Sequence, residues 1–177
     1  MKRFLLALLI LGMAASCRSG HDQLLQTIRD NEKKLFGDSL HRLNNSVAAE
    51  QVEAYKSFAG KYPADSLSPE FLFKGADLAN SLGNGAEAVT LLDSLRKAYP
   101  DHARSGTGLF LQAFIYETTM RNNEKAIAKY TEFIRQYPAH QLAQAAEFSL
   151  VQLKQGLSTE EVVKMFEAKK DTAKINQ

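Results

Sequence analysis

The chain has 177 residues, of which 45% are hydrophobic and 24% charged. That is about one domain's length with enough apolar residues for a core, which excludes a globally disordered chain. The formal net charge is +2, and loss of Lys2 and Arg3 would leave 20 basic residues against 20 acidic ones. Because the rest of the chain is then neutral and has no basic footprint, nucleic acid is excluded as an expected partner.

The first predicted element is an N-terminal segment with the order of a secretory signal. Two cations, Lys2 and Arg3, precede an apolar run over residues 4–13, and small residues fill positions 14–16. The run is too short for a bilayer span, which needs roughly 20 residues. Residues 1–16 are therefore predicted to be a signal peptide that is removed.

Cys17, the only cysteine, stands directly after the expected cleavage point, and a single cysteine allows no intrachain disulfide. The segment resembles a bacterial lipoprotein signal, which implies lipidation at Cys17 and a lipidated linker over residues 17–21. Two alternatives stay open. Ala14 stands where the lipobox prefers Leu, and Ala14 with Ser16 would also suit ordinary signal peptidase and plain secretion. A retained, uncleaved anchor is the other reading.

A Tyr-Pro pair recurs along the rest of the chain, with its tyrosine at Tyr62, Tyr99 and Tyr137, at spacings of 37 and 38 residues. Apolar residues before each pair follow steps of three, three and four, which place them on one face of an α-helix. Proline ends the helix because it lacks an N–H and restricts the residue before it, and the tyrosine is expected to pack under the turn. The stripes are Val52, Tyr55, Phe58 and Tyr62, then Val89, Leu92, Leu95 and Tyr99, then Ile127, Tyr130, Phe133 and Tyr137.

A second helical stripe begins nine residues after the proline of each of the first two pairs. Each unit is therefore predicted to be a helix, a tight turn, a second helix and a proline turn. Ser68 is expected to act as an N-cap before a proline at the first helical position, and Asn122 or Asn123 to cap a later helix. The second stripes are Leu72, Phe73, Ala76 and Ala79, then Leu109, Phe110, Ala113 and Tyr116.

The chain after the signal is interpreted as four helical hairpins, in a repeat domain over residues 22–168 that is followed by a polar tail over 169–177. The last hairpin lacks the Tyr-Pro pair, as expected at the end of a stack, where only one face is covered. The helices are predicted near residues 22–36, 46–61, 69–82, 86–98, 104–121, 124–136, 140–155 and 159–168.

The second helix of the unit carries an alanine, a larger apolar residue and a closing proline at the spacing of a tetratricopeptide repeat, as in Ala126, Tyr130 and Pro138. The chain resembles that family, although its period is three to four residues longer than the usual 34. Longer repeats of this kind are similar to those of periplasmic lipoproteins, namely the outer-membrane β-barrel assembly lipoprotein and the Tol-Pal-associated repeat protein. The resemblance implies an all-α fold, a right-handed α-α superhelix, or solenoid, of about four such hairpins.

Other motifs point to structure more than to chemistry. His102 and His140 occupy equivalent positions, each three residues after the tyrosine of a Tyr-Pro pair, which favours turn residues over metal ligands. No metal or cofactor is expected. The run Gly106, Thr107 and Gly108 lacks the rest of a phosphate-binding motif and is interpreted as a helix start. No nucleophile stands with a base, so the protein is not expected to be an enzyme. Without tryptophan, sugar binding is also disfavoured.

The stretch LFLQAFIYE, residues 109–117, is apolar around the whole helix, so it is either the middle of the stack or a surface that faces a partner. In the resembled family, the first helix of each repeat lines a concave groove. That resemblance implies a protein-binding groove formed by Glu70, Phe73, Asp77 and Asn80 of one repeat and Thr107, Phe110, Phe114 and Glu117 of the next.

The leading hypothesis is a non-catalytic, lipid-anchored scaffold that faces the periplasm, at the outer membrane of a bacterial envelope. Its groove would bind a protein or peptide partner, with envelope proteins as the expected class. The alternative is a soluble secreted repeat module with the same groove and no lipid.

Overall fold

The computed structural model describes residues 19–36, 44–156 and 160. The predicted signal peptide, Cys17, the polar tail and the predicted helix near 159–168, apart from Glu160, lie outside these residues. The described residues form seven α-helices and no strand. They are α1 (Gly20–Phe36), α2 (Asn45–Lys61), α3 (Ser68–Ser81), α4 (Gly85–Ala98), α5 (Ala103–Thr118), α6 (Asn123–Gln136) and α7 (Ala143–Gln155).

The second helix of each hairpin ends at the tyrosine of a Tyr-Pro pair. The N–H groups of Tyr62, Tyr99 and Tyr137 still donate to helical carbonyls four residues earlier, and the following proline stops the ladder. At the other end, the same three helices begin after an asparagine whose side chain accepts backbone N–H groups. These caps are Asn44, Asn84 and Asn122.

In the turn after each Tyr-Pro pair, the side chain three residues after the tyrosine accepts a backbone hydrogen bond. Asp65 Oδ1 accepts the N–H of Leu67 at 2.8 Å, and His102 Nδ1 accepts that of Arg104 at 3.2 Å. His140 Nδ1 accepts the equivalent N–H at 3.1 Å. The interpretation of the two histidines as turn residues is therefore confirmed, since Asp65 accepts the equivalent hydrogen bond in the first copy.

The predicted stripes form the core. Phe58, Leu95 and Phe133 occupy the same position in successive hairpins and are fully buried. Tyr55, Leu92 and Tyr130, one turn earlier in the same helices, are buried beside them. The repeat register that was predicted from the apolar spacing is therefore confirmed.

Each helix packs against the next along the chain, and α3 also contacts α5. The first helices of neighbouring hairpins thus lie side by side, so α1, α3 and α5 form one face of the stack, here named the inner face. The helices α2, α4 and α6 form the outer face. The all-α helical-repeat solenoid that was predicted from the sequence is confirmed.

The tyrosines of the Tyr-Pro pairs pack under the turns, as predicted, and Tyr99 also links its hairpin to the previous one. The Tyr99 hydroxyl donates to the carbonyl of Pro63 at 2.8 Å, in the previous turn. The ring of Tyr137 lies so close to Gly106 that a Cβ on this glycine would come within 3.3 Å of it. Gly106 therefore gives the room that the ring needs, which explains a glycine at this helix start.

Two boundaries and one cap differ from the predictions. The helix α5 ends at Thr118 and not near 121, because residues 119–122 form the turn, with Arg121 at a positive φ of 50°. The helix α7 begins at Ala143 and not near 140, since His140 belongs to the turn. Ser68 is not an N-cap. It is the first residue of α3 and is buried, and its hydroxyl donates to the carbonyl of Tyr62 at 2.6 Å. None of the described helices is long and apolar enough to cross a membrane.

Candidate protein-binding groove

An open groove of about 450 Å³ lies on the inner face between α1 and α3. Its sides come from the two first helices of neighbouring hairpins, and its floor from a tyrosine of α2. Residues of both kinds, apolar and charged, reach it. They are Glu32, Phe36, Tyr55, Lys74, Asp77, Leu78 and Ser81.

A hydrogen-bonded group around Glu32 holds the groove together. The Tyr55 hydroxyl donates to Glu32 Oε1 at 2.6 Å, and Lys74 Nζ lies 2.8 Å from the same oxygen. Burial would raise the pKa of the Glu32 carboxyl, but the bonds from Lys74 and Tyr55 outweigh it and lower that pKa. Burial, and then the bond to Glu32, raises the pKa of Tyr55. One carboxylate thus joins α1, α2 and α3, and its charge is already compensated.

The rim of the groove offers groups that are still accessible. The ring of Phe36 is 66% exposed at the end of α1, which is unusual for so large an apolar side chain. Asp77 is also exposed, and its carboxylate makes no ion pair with another described residue. The groove can therefore receive an apolar side chain and a cation from a polypeptide.

The residues that the resemblance implied for the groove fall into two groups. On α3, Asp77 lines the groove, whereas the other three make contacts to the next hairpin. Glu70 accepts Arg104 Nε at 3.0 and 3.1 Å, and the Arg104 guanidinium lies 4.6 Å from the centre of the Phe73 ring. The Asn80 side-chain oxygen accepts the hydroxyl of Thr119 at 2.7 Å.

On α5, three of the four implied residues likewise contact neighbouring elements. Thr107 lies 3.5 Å from the ring of His140, and Glu117 accepts the hydroxyl of Tyr130 at 2.7 Å. Phe110 is half-buried, with its ring centre 5.7 Å from that of Tyr130. Only Phe114, which is 41% exposed, remains largely accessible.

The apolar helix surface of residues 109–117 is thus mainly the middle of the stack. Leu109, Ala113 and Ile115 are fully buried, and Gln112 is buried among them with its amide bonded to α4. Phe114 is the one large apolar side chain of this stretch that the stack leaves open.

Of the seven described residues that line the groove, all but Asp77 were missed as groove residues, among them Glu32, Phe36 and Lys74. Two of them lie on α1, which no Tyr-Pro pair precedes, so the repeat register could not be carried to this helix. A signal was present in the sequence, since Phe36 stands at the end of a helix that otherwise closes with Lys33 and Lys34.

The stacked hairpins define the described part of the molecule as an all-α helical-repeat protein. Two segments, 70–102 and 108–140, match the tetratricopeptide repeat family model. The first covers most of α3, all of α4 and the turn that follows, and the second covers most of α5 and all of α6. The chain therefore contains tetratricopeptide repeats, a module typical of protein–protein interaction. The comparison with curated proteins yields no match.

Proposed function

We propose that this protein is a lipid-anchored scaffold of the bacterial cell envelope that binds a segment of a partner protein in the inner groove. Cys17 carries the lipid, the repeat domain faces the periplasm from the outer membrane, and the partner is an envelope protein. The protein performs no chemistry of its own.

The observation that carries the binding proposal is the inner groove itself. Its apolar rim residue Phe36 is exposed, and the Asp77 carboxylate lines the same groove without an ion-pair partner among the described residues. A partner side chain that covered Phe36 would remove apolar area from water, at about 25 cal/mol per Å². A lysine or arginine next to it would pair with Asp77.

The binding proposal is tested by capture of the partner from crosslinked envelopes, followed by measurement of its affinity for purified variants. Asp77→Lys reverses the one free charge of the groove, and Phe114→Ser removes the exposed ring of the next inner helix. Each should weaken binding by roughly tenfold or more, with helicity and thermal midpoint unchanged, because both side chains are exposed.

The matched control is Thr131→Lys, which places the same cation on the exposed outer face of α6. This variant should bind like the wild type. Equal loss in the control and in Asp77→Lys would show a general effect of added charge and would remove the support for the inner groove.

The anchor proposal rests on the single cysteine after a signal-like segment. Cys17→Ala should release the protein from membranes, because acyl chains anchor a protein by about 0.8 kcal/mol per buried CH₂. Ser16→Ala, which keeps the cysteine, should stay bound. Membrane retention of Cys17→Ala would contradict the anchor. Native protein without lipid by intact mass would favour the alternative, a soluble secreted module with the same groove.

A further inference from the structure

A second open groove, of about 400 Å³, lies on the opposite, outer face of the stack between α2 and α4. We name it the outer slot. Its ends are closed by two links between hairpins, the ion pair of Lys56 with Glu87 at 3.1 Å and the hydrogen bond of Tyr99 to Pro63. Between these links it is lined by Ala59, Gly60, Leu72, Thr90, Leu91, Ser94 and Ala98.

The equivalent space between α4 and α6 is filled by charged side chains. Arg96 Nη2 lies 2.8 Å from Glu132 Oε1, and its Nη1 donates to Gln112 Oε1 at 3.3 Å. Lys129 Nζ lies 3.0 Å from the other oxygen of Glu132. Burial would raise the pKa of Glu132, but its bonds to Lys129 and Arg96 outweigh this and lower it.

The repeat register shows why one space is filled and the other open. Ala59 stands one repeat before Arg96, and Ser94 stands one repeat before Glu132. Leu91 likewise stands one repeat before Lys129. Three long charged side chains are thus replaced by two small ones and one apolar one on the same backbone, which leaves the outer slot.

The walls of the outer slot are chemically apolar. The Thr90 hydroxyl donates to the carbonyl of Ala86 at 2.9 Å, and the Ser94 hydroxyl to that of Thr90 at 3.0 Å, so both donors are used within α4. A Cβ on Gly60 would meet no atom within 4 Å, which shows how open the α2 side is. An extended strand would find no backbone partners here, whereas a helix satisfies its own N–H and C=O groups.

The charges at the two ends of the outer slot differ. Lys56 is shared between Glu53 and Glu87, which leaves one net negative charge at that end. Towards the other end, Lys97 is exposed on α4, one turn beyond Ser94, and has no ion-pair partner among the described residues. At this end, an occupant therefore gains a charge contact if it carries an acidic group near Lys97.

We propose that the outer slot docks an amphipathic α-helix of a protein partner, independently of the inner groove. A large aliphatic or aromatic side chain of that helix fills the slot, and an aspartate or glutamate one turn away pairs with Lys97. The span from Lys56 to Pro63 is about 10 Å at 1.5 Å per residue, so the slot holds one or two such side chains. The protein would then join two partners, one on each face.

The experiment uses a displayed library of helical peptides, selected on the full chain and counter-selected on the double variant Ala59→Arg, Ser94→Glu. This variant introduces the ion pair that fills the next junction, so the probe peptides that remain are specific to the outer slot. They should carry an apolar and an acidic residue three or four positions apart. In fluorescence anisotropy they should lose at least about tenfold in affinity on the double variant and about threefold to tenfold on Lys97→Glu.

The control Asp77→Lys, in the inner groove, should leave the affinity of these peptides unchanged. Ser94→Glu alone, at an exposed position, should keep the melting temperature and still lose at least about threefold, which covers the case in which the double variant does not fold. Three results would overturn the proposal: no enriched peptide, selected peptides that ignore Lys97→Glu, or wild-type dimers that the single Ser94→Glu change dissociates, because the occupant would then be a second copy.

Discussion

Two junctions between outer helices, α2 with α4 and α4 with α6, have the same backbone arrangement but differ in the side chains that lie between the helices. In the second, Arg96 and Glu132 bridge the outer helices, while the first has Ala59 and Ser94 at these positions and stays open. The core beneath both is alike, since Phe58 and Phe133 are buried at equivalent sites. Packing within a hairpin is thus repeated, whereas the surface between outer helices is free to become a bridge or a slot.

The largest expected effect tests the shared part of this comparison. Phe133→Ala and Phe58→Ala should each lower the free energy of unfolding by about 3–5 kcal/mol, the range for truncation of a buried aromatic side chain. Urea denaturation measures both. Because both rings are fully buried, the two losses should be similar. A loss below about 1 kcal/mol for either variant would mean that the ring faces water and that the repeat register is wrong there.

A smaller effect should separate the bridged junction from the open one. Arg96→Ala should cost about 1–2 kcal/mol, because it removes the guanidinium that donates to Gln112 Oε1 and Glu132 Oε1 in a partly buried setting. Lys56→Ala should cost only about 0–1 kcal/mol, since the lysine side chain is 48% exposed.

The same denaturant melts compare these variants. The single variants Arg96→Ala and Glu132→Ala and their double variant form a double-mutant cycle with the wild type. A coupling energy near zero between Arg96 and Glu132 would show that the bridge does not hold the outer helices, and the contrast between the junctions would then rest on shape alone.

The smallest effect concerns the first hairpin and depends on pH. His21 Nε2 lies 2.9 Å from Asp65 Oδ2, and its ring packs on Phe58 and Tyr62. Its hydrogen bonds to Asp65 and Asp22 raise the pKa of His21 above the ordinary 6.5. The backbone N–H of Leu67, followed by His21, lowers the pKa of Asp65.

The raised histidine pKa gives stability that is complete below pH 6.5 and is lost as pH rises through the higher, folded value. The lowered aspartate pKa gives stability that is present above its ordinary 3.8 and is lost in acid. Wild type should therefore lose a little stability between pH 6 and 8, and His21→Gln should lose less over that range. Identical pH profiles would show that this contact does not stabilise the first hairpin.

Much of this molecule could be predicted from the spacing of apolar residues and proline. The Tyr-Pro pairs mark helix ends, and the stripes through Phe58, Leu95 and Phe133 identify the core, because both signals are local to one helix. The eight implied groove residues were less informative. Glu70 and Glu117 lie on the inner helices but bind Arg104 of the next hairpin and Tyr130 of the same hairpin, and neither pairing between helices can be read from the apolar spacing.

The outer slot could not be predicted from the sequence alone, although alignment of the repeats shows that Ala59 occupies the position that Arg96 has in the next repeat. It takes the structure to show that these positions face each other across two helices. Sequence periodicity identifies which residues are equivalent, whereas the packing of hairpins decides which equivalent residues meet.

The most direct test of the account is photo-crosslinking in the native host from two matched positions. Ser81 lines the inner groove and Thr131 lies on the outer face of α6. Both are exposed, and both hydroxyls donate to the carbonyl four residues earlier in their own helix. A photoreactive residue at position 81 should yield a protein adduct, and one at position 131 should yield none. Adducts from position 131 only, or the same adduct from both positions, would contradict the claim that the inner groove is where this repeat protein holds its partner.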